Sequence, residues 1–300
     1  MRSQLSDTAP GGADIVKELR VLKGHGTEND FVLVPDLSNE LDLTDALVRA
    51  LCDRHAGVGA DGVLRVVRSE HVASAAAMAA EAPFFMDYRN ADGSVAEMCG
   101  NGVRVFARYL AAAGLIEGQT VVATRGGPRL VRIEDDATIS VEMGSPVLLD
   151  ARPEVSTADG ALSSAGFALA VPNPHVVVAV AGLDALGALD LARAPIVTPA
   201  LPNGQNVEFV VRTGADRIAM RVHERGVGET RSCGTGICAA VVATAVRDGL
   251  GPVDDLRWWV NVPGGQCSVA WRPDGSLQLR GPAVLVGELE LDSGWLARVG

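Results

Sequence analysis

Short apolar runs rich in β-branched and aromatic residues recur along the chain at 31–34, 63–67, 120–123, 130–133, 176–180, 207–211, 218–222 and 258–262. Most are bounded by Gly, Pro, Asn or Asp. This pattern predicts a sheet-rich α/β or α+β protein. Helical periodicity is rarer. Over 102–113, Val103, Phe106, Ala107, Leu110 and Ala111 return at helical spacing, and Gly114 supplies a stop. A second helix is predicted over 236–248. Its body, 237–246, is apolar on nearly every side, and a helix of that kind belongs in the middle of a core, wrapped by strands. A short third helix covers 46–52.

The two longer helices share an entrance. One begins Cys99-Gly100-Asn101-Gly102 and the other Cys233-Gly234-Thr235-Gly236, each after a polar, glycine-containing loop at 90–94 and 226–230. The cysteines stand 134 positions apart (233 against 99) in a chain of 300 residues. A repeat near half the length predicts a duplicated half with one such cysteine in each domain, and a chain this long has room for two ordinary domains.

A thiol at the first turn of a helix faces unpaired backbone N–H groups and the positive end of the dipole, so its pKa is expected to fall. The glycines that follow remove side chains and let a carboxylate approach those N–H groups. Two such entrances would place a thiol on either side of a bound carboxylate. That geometry suits removal of the proton alpha to a carboxylate from one face and its return to the other, with inversion. Removing one backbone donor of this kind costs ~10²–10³ in rate in other enzymes, and a matched acid or base contributes ~10²–10⁴. Pyridoxal phosphate, the usual device for such chemistry, needs a Schiff-base lysine. Only Lys17 and Lys23 are present, so a cofactor-free site is the simpler reading, with Lys23 left open.

Composition narrows the partners. The chain is 48% hydrophobic and 21% charged, which is ample for a core, and its formal net charge is −11 with no Lys/Arg run. Nucleic acid and acidic membrane faces are therefore not expected, and a small molecule is. Residues 1–16 lack the apolar run of a secretory signal and read as a loose tail. The low-charge window 161–183 is broken by Pro172, Asn173, Pro174 and His175, against a membrane span. A soluble, cytoplasmic protein is expected. Five scattered cysteines imply reduced thiols, with Cys52, Cys238 and Cys267 as packing residues. No close Cys/His pair has zinc-site spacing, so no metal is expected.

Several segments together resemble the diaminopimelate epimerase family from about Leu19 to the C-terminus. They are Lys23-Gly24-His25-Gly26-Thr27-Glu28-Asn29-Asp30-Phe31; Gly57-Val58-Gly59-Ala60-Asp61-Gly62; Asp87-Tyr88-Arg89-Asn90-Ala91-Asp92-Gly93-Ser94 on to Arg104; Val171-Pro172-Asn173-Pro174-His175; Asn206-Val207-Glu208-Phe209; and His223-Glu224-Arg225-Gly226-Val227-Gly228-Glu229-Thr230 on to Gly236. The resemblance implies an α/β (α+β) fold of two pseudo-symmetric domains, each a curved, mostly antiparallel sheet wrapped around a central helix, with the active site in the cleft between them. It implies a tail at 1–18, domains at 19–145 and 146–280, and a segment 281–300 returning to the first. The implied activity interconverts LL- and meso-2,6-diaminopimelate in the making of lysine and cell-wall peptide, without cofactor or metal, in a possible homodimer. Cys99 and Cys233 would be the acid/base pair, and backbone at Gly100, Asn101, Gly234 and Thr235 would hold the reacting carboxylate. Asn29, Asn90, Asn173, Asn206 and Arg225 would bind substrate, mostly at its distal end. Glu224 would contact an amino group, and His175 and Glu224 would tune the thiols.

A substrate with two ammonium and two carboxylate groups needs such a set. Arg225 offers a bidentate carboxylate clamp, and sites that hydrogen-bond a distal group reject analogues lacking it by ~10⁴–10⁵. Two departures from the family pattern stand out: Thr27-Glu28 where Leu-Gly is common, and Gly62 where some members carry a substrate-contacting glutamine. Plainer readings exist for single residues. Each asparagine lies near turn-forming residues, where it is expected for backbone reasons, Glu224-Arg225 could be a surface ion pair, and His25 reads as an ordinary loop histidine. As whole-chain alternatives, a proline or hydroxyproline racemase shares the two-thiol design but binds a smaller monocarboxylate, which Arg225 and the four asparagines disfavour. A thiol redox protein would join Cys99 to Cys233 but has no Cys-x-x-Cys pair. A structural zinc site lacks ligands.

Overall fold

The computed structural model describes residues 19–252 and 256–299; the tail reading at 1–18, with Lys17, lies outside them. Every apolar run read as a strand falls in one, with Val180 one residue beyond its strand's end. The helices among the described residues are α1 (Asp45–Cys52), α2 (Gly100–Ala112), α3 (Leu183–Ala188), α4 (Gly234–Arg247) and α5 (Ser293–Val299). Both long helices end alike. Gly114 and Gly249 take positive φ just past the last turn, and Leu115 N–H and Leu250 N–H reach back to the carbonyls of Leu110 and Ala245, at 2.9 Å each. Glycine is favoured at such a stop because it meets no Cβ penalty in the left-handed region.

The sheet is built twice. In the first half Arg20–Gly26 pairs antiparallel with Asn29–Pro35, which pairs parallel with Gly62–Arg68. There follow Phe84–Asn90 antiparallel, Gln119–Ala123 parallel, then Arg129–Ile133 and Ile139–Gly144 antiparallel. The second half repeats that order with Ser163–Val171, Asn173–Ala179, Asn206–Gly214, Arg217–Glu224, Arg257–Val262, Gly265–Trp271 and Leu277–Gly281. A parallel pair cannot be joined by a tight hairpin and needs a crossover. α1 and α3 lie in the first crossover of each half, α2 and α4 in the second.

The halves meet where Ile139–Gly144 pairs antiparallel with Leu277–Gly281, so one ladder runs through both. Beyond each of these strands the chain crosses over: Val147–Leu148 pairs with Ser163–Val171 of the second half, and Val284–Glu290 with Arg20–Gly26 of the first.

Both long helices sit inside this wrap. All of Gly234–Ala245 in α4 is buried, as expected of a helix apolar all round, and so are Gly100–Ala107 and Leu110 in α2. One apolar cluster joins Phe31, Leu64, Phe106 and Ile139 of the first half to Ile237, Val241, Trp258 and Leu279 of the second. With burial of each large side chain contributing roughly 1.5–3 kcal/mol, this shared core fixes the two helix starts relative to each other.

Candidate active site

Cys99 and Cys233 are the N-cap residues of α2 and α4, both in extended backbone conformation. The two helix starts abut. A Cβ placed on Gly234 would lie 3.1 Å from Gly100 Cα and 3.3 Å from the Asn101 nitrogen. Gly234 therefore permits the close helix-to-helix approach, while a Cβ on Gly100 would press on the Met143 and Leu279 side chains of the strands around it. Gly102 and Gly236 face packing neighbours instead of open space: Leu64 and Phe31 for one, the Glu208 carboxyl for the other. Two positive helix ends driven together repel each other unless an anion lies between their N–H groups, which have no intrahelical acceptor. Such a place takes a carboxylate.

Around Cys99, the Gly102 N–H donates to the thiol sulfur at 3.4 Å, and the thiol donates to Asn29 Oδ1 at 3.6 Å. Asn29 is oriented by Asp61, whose Oδ2 accepts from its Nδ2 at 2.7 Å. Asn101 Nδ2 donates to Asn29 Oδ1 at 3.2 Å and across the halves to the Ser232 carbonyl at 3.0 Å. Ser232 and Thr27 join hydroxyls at 2.6 Å, and Arg104 Nη2 donates to Thr27 Oγ1 at 3.2 Å. Arg104 is fully buried, no carboxylate among the described residues pairs with it, and its Nη1 has no partner. An uncompensated guanidinium behind the abutting helix ends adds to the positive potential there.

Around Cys233, the thiol and Thr235 Oγ1 are 3.5 Å apart. Glu224 accepts a short hydrogen bond from Thr230, and its carboxyl and the Cys233 thiol act on each other's protonation. Burial raises its carboxyl above the usual range, and those two groups pull it partly back. Behind α4, His175 Nδ1 and Glu208 Oε1 are 2.7 Å apart in a fully buried pair, while His175 Nε2 and Glu208 Oε2 have no partner. Asn206 Oδ1 accepts from the Arg225 N–H at 2.9 Å, and the exposed Arg225 guanidinium reaches the Asn203 carbonyl.

The structure thus brings Gly100 and Asn101 against Gly234 and joins Asn29 to Cys99 and Asn101, and it groups Cys233 with Thr235 and Glu224, His175 with Glu208, and Asn206 with Arg225. Asn90 uses its amide on Ser94 Oγ at 3.0 Å, the turn role that asparagine often takes, and Asn173 forms no side-chain hydrogen bond among the described residues. Lys23 donates to Asp30 Oδ2 at 2.5 Å and to the Gly59 carbonyl. Burial raises the Asp30 carboxyl, but hydrogen bonds from Arg54 and Lys23 outweigh it and hold the group well below its usual range. This lysine serves an ion-pair network under the first hairpin.

The thiols depart from the expectation of depressed pKa values. Cys99 is pushed up to about 11 by burial, which outweighs the Gly102 N–H, and Glu224 adds to the rise. Cys233 is driven well above the usual thiol range by burial, then by Glu224 and Glu208. Helix-start stabilisation is present but smaller than the cost of taking a thiolate out of water. Sequence reasoning also passed over Arg104, Asp61, Ser232 and Glu208. Two carried a signal: Glu208 interrupts the apolar run 207–211, and Arg104 interrupts Val103-Arg104-Val105-Phe106. A charge inside a core-facing run is a candidate for chemistry.

Solved structures share this doubled fold. One is a phenazine biosynthesis protein of the PhzF family from Bacillus anthracis, at TM-score 0.67 and 18% identity, covering 92% of this chain and 99% of that one. Another is a hydroxyproline epimerase from Agrobacterium vitis, at TM-score 0.65 and 14% identity, covering 92% and 94%. The fold class is thus that of PhzF-like and hydroxyproline epimerase-like proteins. Sequence is more specific: the diaminopimelate epimerase family profile matches residues 21–149 and 167–286. The diaminopimelate epimerase of Streptomyces coelicolor is 55% identical over 284 residues, 93% of this chain and 97% of that protein. The chain belongs to the diaminopimelate epimerase family.

Proposed function

We propose that the chain interconverts LL- and meso-2,6-diaminopimelate by proton transfer at the alpha carbon between Cys99 and Cys233, supplying lysine and peptidoglycan precursors. The observation that carries this reading is the pair of abutting helix starts, each capped by a cysteine. One sulfur, as thiolate, takes the alpha proton from one face, and the other, as thiol, delivers a proton to the opposite face. The N–H groups of Gly100, Asn101, Gly234 and Thr235 hold the carboxylate onto which the carbanion's charge spreads. Preorganised donors of this kind stabilise charge only where it develops. Because the two sulfurs exchange roles with each turnover, the reaction runs in both directions.

Glu224, beside Cys233, binds a substrate amino group and tunes that thiol together with His175. Asn29, Asn90, Asn173, Asn206 and Arg225 bind the rest of the substrate, with Arg225 clamping the distal carboxylate. The reading divides the chain into domains at 19–145 and 146–280 with 281–300 returned to the first, and places a homodimer in the cytoplasm, where reducing conditions preserve thiols. A proline-type racemase would share the fold and both cysteines, but a monocarboxylate ring would leave Arg225 without a role.

The test is solvent deuterium incorporation at the alpha carbon of LL-diaminopimelate by reduced protein. Incorporation with inversion is expected for wild type, and loss of inversion in Cys99→Ala and in Cys233→Ala. Exchange on proline but not on diaminopimelate would transfer the assignment to the racemase.

A further inference from the structure

The Tyr88 hydroxyl has no hydrogen-bond partner among the described residues, and none of the roles above uses it. Tyr88 stands on Phe84–Asn90 opposite Leu64. Its ring lies over Gly62: a Cβ at that position would sit 2.8 Å from Tyr88 Cε2 and 2.5 Å from the Arg89 carbonyl oxygen. The missing side chain at 62 is therefore what admits the ring. On another side the ring meets Phe31 edge-on, with centroids 6.0 Å apart and planes at 79°. Phe31 Cζ lies 3.6 Å from a Cβ built on Gly102, and Cys99 Cβ lies 3.4 Å from the same point. The aromatic pair thus fills the space between the strand floor and the turn that carries Cys99.

A second path reaches the same place. Asp61, the neighbour of Gly62, holds Asn29, and Asn29 accepts from the Cys99 thiol. The ring is packed, but the hydroxyl is not among the side-chain atoms sealed off without a partner. The groups that act on it electrostatically are Cys99, Glu224, Asp61 and Cys233, drawn from both halves. Burial first, and then those groups, keep the phenol well above its ordinary range, so it stays neutral at any working pH.

We propose that the Tyr88 hydroxyl is a substrate-binding group that accepts a hydrogen bond from a substrate ammonium group in the cleft. Asp61, next to the glycine beneath the ring, and Glu224, whose charge also acts on the phenol, favour a cation and disfavour a carboxylate at that spot. The aromatic packing fixes the ring, so little side-chain freedom is lost on binding. This inference rests on the diaminopimelate reading and deepens it.

Tyr88→Phe removes one oxygen that has no intramolecular bond, so folding should not suffer. Deuterium exchange by wild type is recorded first, followed by kcat and KM for LL-diaminopimelate, the inhibition constant of pimelate and the melting temperature. A hydrogen bond to a charged group supports a rise in KM of roughly ten-fold or more. The loss should fall on KM rather than kcat, with an unchanged melting temperature and unchanged inhibition by pimelate, which has the carboxylates but no ammonium. An active wild type with the same KM in the variant overturns the inference while leaving the diaminopimelate reading intact. An inactive wild type overturns both. Equal weakening of pimelate, or a lowered melting temperature alongside the KM change, assigns the hydroxyl to another role and overturns it as well.

Discussion

At Cys99 and Cys233 two effects of one placement oppose each other. The N-cap position offers N–H donors to a thiolate, while the interior that makes those donors effective removes the water that would also stabilise it. Burial is the larger effect, so near neutral pH both sulfurs of the free protein are mostly protonated and the thiolate that takes the alpha proton is the minor form. In a Cys233→Ala background, alkylation of Cys99 should therefore keep accelerating as pH climbs from 7 past 9, because its thiolate fraction grows up to about 11. A plateau by pH 8 would mean that the helix ends prevail. The sign for stability follows. The folded thiols bind protons more tightly than unfolded ones of ordinary value 9.0, so this contribution is intact below 9 and lost as pH rises towards the folded values. Residue identity was legible in the chain because the two cysteines share a motif. Their protonation was not, because burial and neighbouring charge are set by residues far away in sequence: Glu224 acts on the first thiol from the other half, and Glu224 and Glu208 act on the second.

At the scale of elements, both long helices start two residues before their apolar periodicity. Gly100, Asn101, Gly234 and Thr235 are weak helix formers, and it is tertiary burial that draws them into the first turn. Strands built of mixed residues escaped notice. Phe84–Asn90 carries Asp87, Arg89 and Asn90, and Ser163–Val171 is rich in Ser, Ala and Gly, so neither looks like the β-branched run of a central strand although each has partners on both sides. The departure at Thr27-Glu28 has a local consequence. Both residues take positive φ, 50° and 60°, in the two-residue turn between Arg20–Gly26 and Asn29–Pro35, a conformation that hairpins of this kind require and that glycine adopts more readily. That turn is backed by Gly264, in the hairpin of the other half. A Cβ at Gly264 would lie 1.8 Å from the Thr27 carbonyl oxygen. Gly264→Ala should displace Thr27 together with its bonds to Ser232 and Arg104. Overpacking costs of about 1–3 kcal/mol are typical, so a lower melting temperature together with reduced exchange activity is expected. Unchanged calorimetric and activity profiles would contradict this contact.

At the scale of the whole molecule, the chain announces its duplication twice, and only one announcement was read. Beside the cysteine motifs, Gly144-Ser145-Pro146-Val147-Leu148 is echoed by Gly281-Pro282-Ala283-Val284-Leu285, the two places where the chain leaves one half for the other. Which half each departing strand joins is set by pairing across the molecule and not by any local preference, so short-range patterns could not disclose it. Each half is completed by a strand that the other half's chain supplies. A fragment ending at 150 would keep the donated strand Val147–Leu148 with nothing to pair against, and would leave Arg20–Gly26 as a bare edge prone to sticking. Expressed singly, fragments 1–150 and 151–300 should aggregate, while co-expression should restore deuterium exchange; activity from either one alone would refute the interdependence. This is the arrangement of a strand-exchanged dimer carried on a single chain: each half holds the other's last strand as a fixed lock, so a change in either exchanged strand is felt in both halves.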